Sequence, residues 1–253
     1  MFEILKKSIS TGIVTKPLAE IITTPSAGRG APDLSSATAT EIALAQAACP
    51  TNAIDTTTGG RAVLDLAKCT FCGACADAAQ SIKMTHQCVW AAQNREQLKI
   101  TRLPEDGQTE DAGKKLNQEI NRLFGRSLHI REVDAGSCNG CEIEIGALSC
   151  PIYDVERFGI HFVASPRHAD MLLVTGPVTR NMELALKKTY DAMPGPRLVI
   201  AAGTCGCSGG IFGCNYATRG SVDTIIPVDV YIPGCPPSPK ALLNGILMAI
   251  GKK

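Results

Sequence analysis

The stretch Cys138-Asn-Gly-Cys141 decides how the chain is interpreted, because two later cysteines extend this C-x-x-C pair into a set of four. Cys205, in GTCGCSGG, and Cys235, in PGCPPSP, each follow an apolar run that is typical of a buried strand. The pair itself follows a third strand-like run at 129–133. Cofactors of open α/β sheets lie outside the carboxyl ends of the strands, so the four thiols are expected to meet at one place.

The chemistry of four thiolates leaves three interpretations open. Four thiolates are the ligand set of a [4Fe–4S] cluster. A zinc ion also binds four thiolates, but they usually come from two close pairs. Here Cys205 and Cys235 are far apart in sequence, and each lies in a separate predicted loop. Ordinary buried cysteines are the third interpretation. Glycine and proline around both loops favour the cluster, because backbone amides must approach its sulfides.

The composition favours a subunit with covered faces. The chain has 253 residues, enough for two modest domains, and its net charge of +1 argues against nucleic acid as a partner. Only 19% of the residues are charged. The 12 cysteines occur with no secretory signal and no apolar run of membrane-spanning length, so we expect reduced, intracellular, metal-bound thiols.

A second group of cysteines lies upstream, in Cys69-Thr-Phe-Cys72-Gly-Ala-Cys75 and in Cys49-Pro50. This spacing resembles that of bacterial two-cluster ferredoxins, in which the fourth cysteine of each run ligates the other cluster. Cys49 is therefore expected to complete a [4Fe–4S] site with the three later cysteines. A zinc knuckle is the alternative.

The other half of the ferredoxin pattern has lost its ligands. The three positions before Cys49 that should hold cysteines hold Ala39, Ile42 and Ala45, and the position after Cys75 that should hold the fourth is Ala79. All four ligands of one cluster are absent while all four of the other are present. We therefore expect one cluster here, with the vacant half packed by small and apolar side chains.

The pattern along the chain predicts four segments. Residues 1–30 are expected to be an extended docking arm that begins with a short amphipathic piece, 31–100 a degenerate ferredoxin-like α+β domain, 101–109 a linker, and 110–253 a small flavodoxin-like α/β domain with a mainly parallel sheet. A helix is predicted over 110–125. The remaining predicted elements are strands near 128–133, 160–164, 171–175, 197–202 and 228–232, and helices near 141–148, 180–192 and 238–250.

The segment 138–253 resembles the small subunit of [NiFe] hydrogenases and its relative in respiratory complex I. The motifs that carry the resemblance are CNGCEIEI at 138–145, SPRHAD at 165–170, GTCGCSGG at 203–210 and VDVYIPGCPPSP at 228–239. The C-x-x-C is the hydrogenase form, since the complex I relative has two adjacent cysteines. With no twin-arginine leader and no further C-terminal cluster domain, the sequence resembles the short small subunit of membrane-bound, energy-converting (group 4) hydrogenases such as formate hydrogenlyase.

The first hundred residues, including the opening MFEILKK, resemble the polyferredoxin-like subunit of the same complexes. That subunit is normally a separate chain with two clusters. In this sequence the corresponding region is fused to the small-subunit-like domain and is expected to keep one cluster. An external donor is therefore expected to dock directly at the surviving cluster.

The resemblance implies a proximal [4Fe–4S] cluster held by Cys138, Cys141, Cys205 and Cys235, beside the Ni–Fe site of a separate large subunit. The chain would then be the iron–sulfur subunit of an oxidoreductase, not catalytic alone, on the cytoplasmic face of the inner membrane. Its implied partners are the large subunit, integral-membrane subunits, and an electron donor such as ferredoxin, formate dehydrogenase or carbon monoxide dehydrogenase. The alternatives are a complex I-like oxidoreductase whose large subunit lacks Ni–Fe, and a stand-alone ferredoxin carrier.

Three further residues have two interpretations each. Glu144 is a candidate proton relay, although the dipole of a helix favours a carboxylate in the first turn. Arg167 and His168 either face the large subunit or cap a loop. The remaining cysteines are interpreted as ordinary buried thiols: Cys88, Cys150, Cys207 and Cys214. For Cys88, the alternative interpretation is a replacement ligand of the cluster.

Overall fold

A computed structural model of the chain describes residues 2–17, 20–21, 28–103 and 126–251. The predicted helix over 110–125 and most of the predicted linker lie outside these ranges. The helices are α1 (Phe2–Thr11), α2 (Ala39–Ala48), α3 (Ala74–Ala78), α4 (Gly140–Ala147), α5 (Arg180–Asp191), α6 (Gly203–Ser208) and α7 (Pro239–Gly251). The strands are β1 (Pro32–Asp33), β2 (Ile54–Thr56), β3 (Ala62–Asp65), β4 (Lys83–Met84), β5 (Lys99–Ile100), β6 (Leu128–Asp134), β7 (Ile160–Phe162), β8 (Met171–Thr175), β9 (Leu198–Ala202) and β10 (Val230–Ile232). Short 3-10 helices span Arg95–Leu98, Val155–Phe158, Pro166–His168 and Val222–Thr224.

Residues 126–251, the second lobe, contain a five-stranded parallel sheet in the order β10-β9-β8-β6-β7. This confirms the predicted parallel α/β domain. Counted along the chain, the order is 2-1-3-4-5, which is found in doubly wound sheets with a crevice between the first and third strands. Every residue of β8 and β9 is buried, as expected for central strands that are covered on both faces.

Residues 28–103, the first lobe, contain two small antiparallel sheets. β1 pairs with β4, and β2, β3 and β5 form a three-stranded sheet. Helix α2 connects β1 to β2, and helix α3 connects β3 to β4. The chain thus passes twice through a strand–helix–strand unit. The finer assignment to a ferredoxin-like fold stays a prediction.

The two lobes share a hydrophobic core. One cluster of buried side chains includes Leu66 and Ala67 of the first lobe together with Val174 and Tyr231 of the second. Ala92 also pairs with Tyr231 through two backbone hydrogen bonds of 2.8 and 3.0 Å, at the edge strand β10. The lobes therefore pack as one body where they meet.

The first residues differ from the expected extended arm. Phe2–Thr11 form helix α1, because one face of this short segment is apolar in a helical pattern. The helix buries none of its residues. Beyond it, the Lys16 N–H donates to the Ile152 carbonyl (3.1 Å), and Ile21 is buried in the second lobe. No helix in the described part of the chain is long and apolar enough to cross a membrane.

Candidate iron–sulfur sites

The sheet brings the later cysteine set to the carboxyl ends of β6, β9 and β10. Cys138 and Cys141 flank the start of α4, Cys205 lies in α6 directly after β9, and Cys235 follows β10. The Asp134 carboxylate stabilises the loop after β6, because it accepts hydrogen bonds from the backbone N–H groups of Gly136 (2.7 Å) and Ser137 (2.6 Å). A positive φ of 68° at Asn139 then starts α4.

The four thiols of this set interact electrostatically. Burial raises the pKa of Cys141, and the charges of Glu142 and of the other three cysteines raise it further. Burial raises the pKa of Cys205 to about 11, with Cys235 and Cys138 as the next causes. A set of thiols that raise one another's pKa is a site where a bound cation is needed to stabilise the thiolates.

Two glycines leave space around the sulfurs of this set. A Cβ on Gly203 would lie 2.7 Å from the Cys141 sulfur, and a Cβ on Gly210 would lie 2.8 Å from the Cys205 sulfur. Both residues also have positive φ, +84° and +57°. A larger residue at either position would occupy space that a metal cluster needs.

The earlier cysteine set lines a single cavity in the first lobe, formed by Cys49, Cys69, Cys72 and Cys75 with Pro50 and Phe71 among the other walls. Burial raises the pKa of Cys69 to about 12, and the other three thiols add to the shift. Backbone N–H groups donate to two of the sulfurs: Ala53 to Cys49 (3.2 Å) and Phe71 to Cys69 (3.4 Å). Hydrogen bonds of this kind tune iron–sulfur clusters.

The spacing of the cysteines distinguishes a cluster from a single metal ion. Among the described residues, no three His, Cys, Asp or Glu side chains are grouped tightly enough to bind a single metal ion. A [4Fe–4S] cluster needs a wider spacing, because each thiolate binds a different iron. In the first lobe, the buried thiols of Cys69 and Cys75 and the N–H groups directed at sulfur fit such a cluster. In the second lobe, the buried thiol of Cys141 and the two glycine spaces fit one.

Glu144, Arg167 and His168 all lie in the second lobe. Desolvation raises the pKa of the half-buried Glu144 carboxyl. Arg167 and His168 are exposed on a 3-10 helix and line an open pocket with Arg126 and His129. Their predicted roles stay predictions.

The remaining cysteines differ from the expected buried thiols in three cases. Cys207 is fully buried, as expected. Cys88 and Cys150 are only half-buried. The prediction was wrong for Cys214, which is exposed because it lies in the turn between Gly213 and Asn215 at the surface.

Sequence reasoning missed two polar residues that join the sites. The Thr204 hydroxyl donates to the Cys69 carbonyl across the two lobes (2.9 Å). Arg95 pairs with Asp65 (3.1 Å) and donates to the Cys207 carbonyl (3.2 Å). The only sequence signal for Thr204 is its position beside Cys205 in an otherwise small-residue loop.

Comparison with known proteins gives the family of the second lobe. Residues 138–249 match the family described as NADH ubiquinone oxidoreductase, 20 kDa subunit. Formate hydrogenlyase subunit 7 of Escherichia coli (strain K12) is 55% identical over 136 residues, which are 54% of this chain and 53% of that protein. The chain thus spans about half the length of that relative. A probable membrane-bound hydrogenase subunit, mbhJ, of Pyrococcus furiosus is 49% identical over 55% of this chain and 85% of its own length.

A similar solved chain comes from the membrane-bound sulfane sulfur reductase, an archaeal respiratory membrane complex. It is 40% identical, with a TM-score of 0.46, over 52% of this chain and 73% of that chain. The family match and the two relatives of known sequence point to a family that consists of subunits of oxidoreductase complexes and binds a [4Fe–4S] cluster. The chain has cysteines at the strand ends and is 49% identical to a hydrogenase subunit over 85% of that subunit's length. The chain therefore belongs to the family of the 20 kDa subunit of NADH ubiquinone oxidoreductase and the small subunits of [NiFe] hydrogenases.

Proposed function

We propose that the chain is the electron-transfer small subunit of a membrane-bound [NiFe] hydrogenase-type complex and holds two [4Fe–4S] clusters. The observation that carries the proposal is the adjacency of two four-cysteine sets. The hydroxyl of Thr204, the residue before Cys205 of the second-lobe set, donates to the carbonyl of Cys69 of the first-lobe set (2.9 Å). Two metal-binding thiol sets so close together form a relay rather than two independent structural sites.

The residues of each set have distinct tasks in this proposal. Cys49, Cys69, Cys72 and Cys75 hold the first-lobe cluster, and Cys138, Cys141, Cys205 and Cys235 hold the second-lobe cluster. When bound, each cluster accepts and releases one electron. The protein contributes burial, which limits water at Cys69 and Cys141, and N–H groups, which stabilise negative charge on sulfur.

The surface around the second-lobe site supports a large subunit as the next partner. Ile143 follows Cys141 by two residues and is 65% exposed, and Ile211 and Phe212 lie exposed on the loop after Cys205. Exposed apolar side chains on the loops of a metal site indicate a surface that another protein covers. Electrons would enter at the exposed Cys72 from an external donor and leave toward this partner.

The partners named by the family resemblance are part of the proposal. They are the large subunit with its Ni–Fe site, integral-membrane subunits that hold the complex at the cytoplasmic face, and a donor such as ferredoxin, formate dehydrogenase or carbon monoxide dehydrogenase. Their support is the 55% identity to formate hydrogenlyase subunit 7 and the 49% identity to the membrane-bound hydrogenase subunit.

Metal analysis of the purified complex tests the proposal. We expect about eight iron and about eight acid-labile sulfide per chain, from two four-iron clusters. A value near four removes one site, and zinc in place of iron contradicts both.

Nickel in the co-purified large subunit separates the hydrogenase from the complex I-like alternative, in which the large subunit lacks the Ni–Fe site. A chain that runs as a monomer in gel filtration, with full iron, would instead be a stand-alone carrier.

A further inference from the structure

Thr204 lies where the two cysteine sets meet. It precedes Cys205 in the chain, and its hydroxyl donates to the carbonyl of Cys69 in the other lobe (2.9 Å). The same hydroxyl accepts a hydrogen bond from the Gly234 N–H (3.4 Å), and Gly234 precedes Cys235. One side chain therefore contacts the backbone of both sets.

The environment of Thr204 fixes this side chain in place. It is 1% exposed. Its backbone N–H donates to the Gly234 carbonyl (2.8 Å), and its carbonyl accepts from the Ser208 hydroxyl (2.9 Å). With both backbone groups and both functions of the hydroxyl engaged, rotation of the side chain would leave buried polar groups without partners, which is costly.

Arg95 makes a second contact between the lobes, close to the one made by Thr204. Arg95 connects Asp65, four residues before Cys69, to the carbonyl of Cys207 in α6. The Asp65 carbonyl also accepts from the Cys69 N–H (3.0 Å), so a displacement of Asp65 would move this cysteine. This contact lies outside the ligand residues, whereas Thr204 touches one of them directly.

We propose that Thr204 is a positioning residue that provides the hydrogen-bonded link between the two metal centres. The inference rests on the proposed function. One electron leaves the first-lobe centre, which is oxidised, and the same electron arrives at the second-lobe centre, which is reduced. No proton moves between the centres, because the Thr204 hydroxyl keeps its proton as it donates to a carbonyl.

The physical reason is that electron transfer between buried centres weakens steeply with distance and with gaps between non-bonded atoms. The path from Cys69 through its carbonyl to Thr204 and on to Cys205 contains one hydrogen bond and no gap of van der Waals width. Removal of the hydroxyl would open such a gap and release the Cys69 carbonyl.

The test compares three variants of the full chain in its complex. Thr204→Val keeps the shape and removes the hydroxyl, and Thr204→Ser keeps the hydroxyl. Thr218→Val is the matched control, because Thr218 is also buried and its hydroxyl donates to a carbonyl (Gly213, 2.6 Å) within the second lobe alone.

We expect all three variants to keep the iron content of the unchanged chain. In the doubly reduced state, Thr204→Val should weaken the magnetic interaction between the two centres in the EPR spectrum. Flash reduction of the first-lobe centre should then be followed by slower reduction of the second. Thr204→Ser and Thr218→Val should show the unchanged interaction and rate.

Two results would overturn the inference. One is a Thr204→Val spectrum and rate equal to those of the unchanged chain. The other is loss of iron in Thr204→Val with retention in Thr204→Ser, which would assign the hydroxyl to holding a cluster rather than to linking two. Failure of the proposed function is a separate outcome, because it would appear as iron near four in the unchanged chain.

Discussion

The two halves of the first lobe differ in structure: one carries Cys69, Cys72 and Cys75, and the other, the vacated half of the predicted ferredoxin pattern, carries Ala39, Ile42 and Ala45. In the cysteine-bearing half, α3 has 5 residues and begins at Ala74, so Cys69 and Cys72 lie in the loop before it. In the vacated half, α2 has 10 residues and begins at Ala39, so all three positions lie inside the helix. Each helix ends directly before the fourth position, Cys49 or Ala79.

Cys69 and Cys72 therefore lie outside a helix, whereas Ala39 and Ile42 lie inside one. The alanine-rich sequence at 39–48 favours this helix through its intrinsic propensity. Ile42 and Ala45 now pack in the core, and Ala39 is exposed.

A carboxylate connects the two helical halves of the first lobe. Glu41 accepts from the Thr38 N–H (3.0 Å) in a capping box at the start of α2. Its other oxygen accepts from the N–H of Ser81 (3.3 Å), two residues beyond Ala79. Glu41 thus joins the start of α2 to the turn after Ala79.

The largest expected effect concerns the half that keeps its ligands. Cys75→Ser should remove the first-lobe cluster and lower the iron content from about eight to about four per chain. Cys214→Ser is the matched control, because Cys214 is exposed and belongs to neither set. Iron analysis with EPR gives the result, and an unchanged iron content in Cys75→Ser would exclude Cys75 as a ligand.

The vacated half is expected to behave as ordinary hydrophobic core. Ile42 is 5% exposed, so Ile42→Ala should lower the free energy of unfolding by about 2–5 kcal/mol. Leu44→Ala on the exposed face of the same helix should cost less than about 0.5 kcal/mol. Denaturant titration measures both. Equal effects would mean that this half is not a packed core.

A smaller effect is expected at the start of α2. Thr38→Ala removes the N-cap and should lower the free energy of unfolding by about 1 kcal/mol. Thr40→Ala changes an exposed residue of the same type inside the helix and serves as the control. If the two variants have equal stability, the capping box does not stabilise this helix.

The smallest effect is a dependence of stability on pH. Hydrogen bonds from Thr38, and then from Ser81, lower the pKa of Glu41 from 4.5 to about 2. Because the folded pKa is the lower one, this stabilisation is present above pH 4.5 and is lost as the pH falls toward 2. Glu41→Gln should remove that part of the pH dependence between these values. Urea titrations of both chains at several pH values measure the difference, and parallel curves would contradict it.

The sequence predicted the second lobe well because its signals are local. Strand-like runs predicted all five strands of the sheet, and the strand ends predicted where Cys205 and Cys235 lie. Helix α2 was missed, although Thr38 and Glu41 have the spacing of a capping box.

The contacts between the lobes were not predictable from local patterns. Cys69 and Thr204 are separated by 135 positions in the chain, and no periodicity relates them. Their contact depends on how the two lobes pack, which is decided by the shared core and by the pairing of Ala92 with Tyr231. The exposed turn at Cys214 was missed for a related reason, because cysteine is among the most buried residue types and the prediction relied on that tendency.

The shared core has a consequence for how the two cysteine sets behave at low protein concentration. Sets carried on separate chains stay together only while the chains are more concentrated than their dissociation constant. A covalent connection with a common core makes the local concentration of one set around the other independent of dilution. Both sets are also synthesised in equal numbers, so neither accumulates without its counterpart.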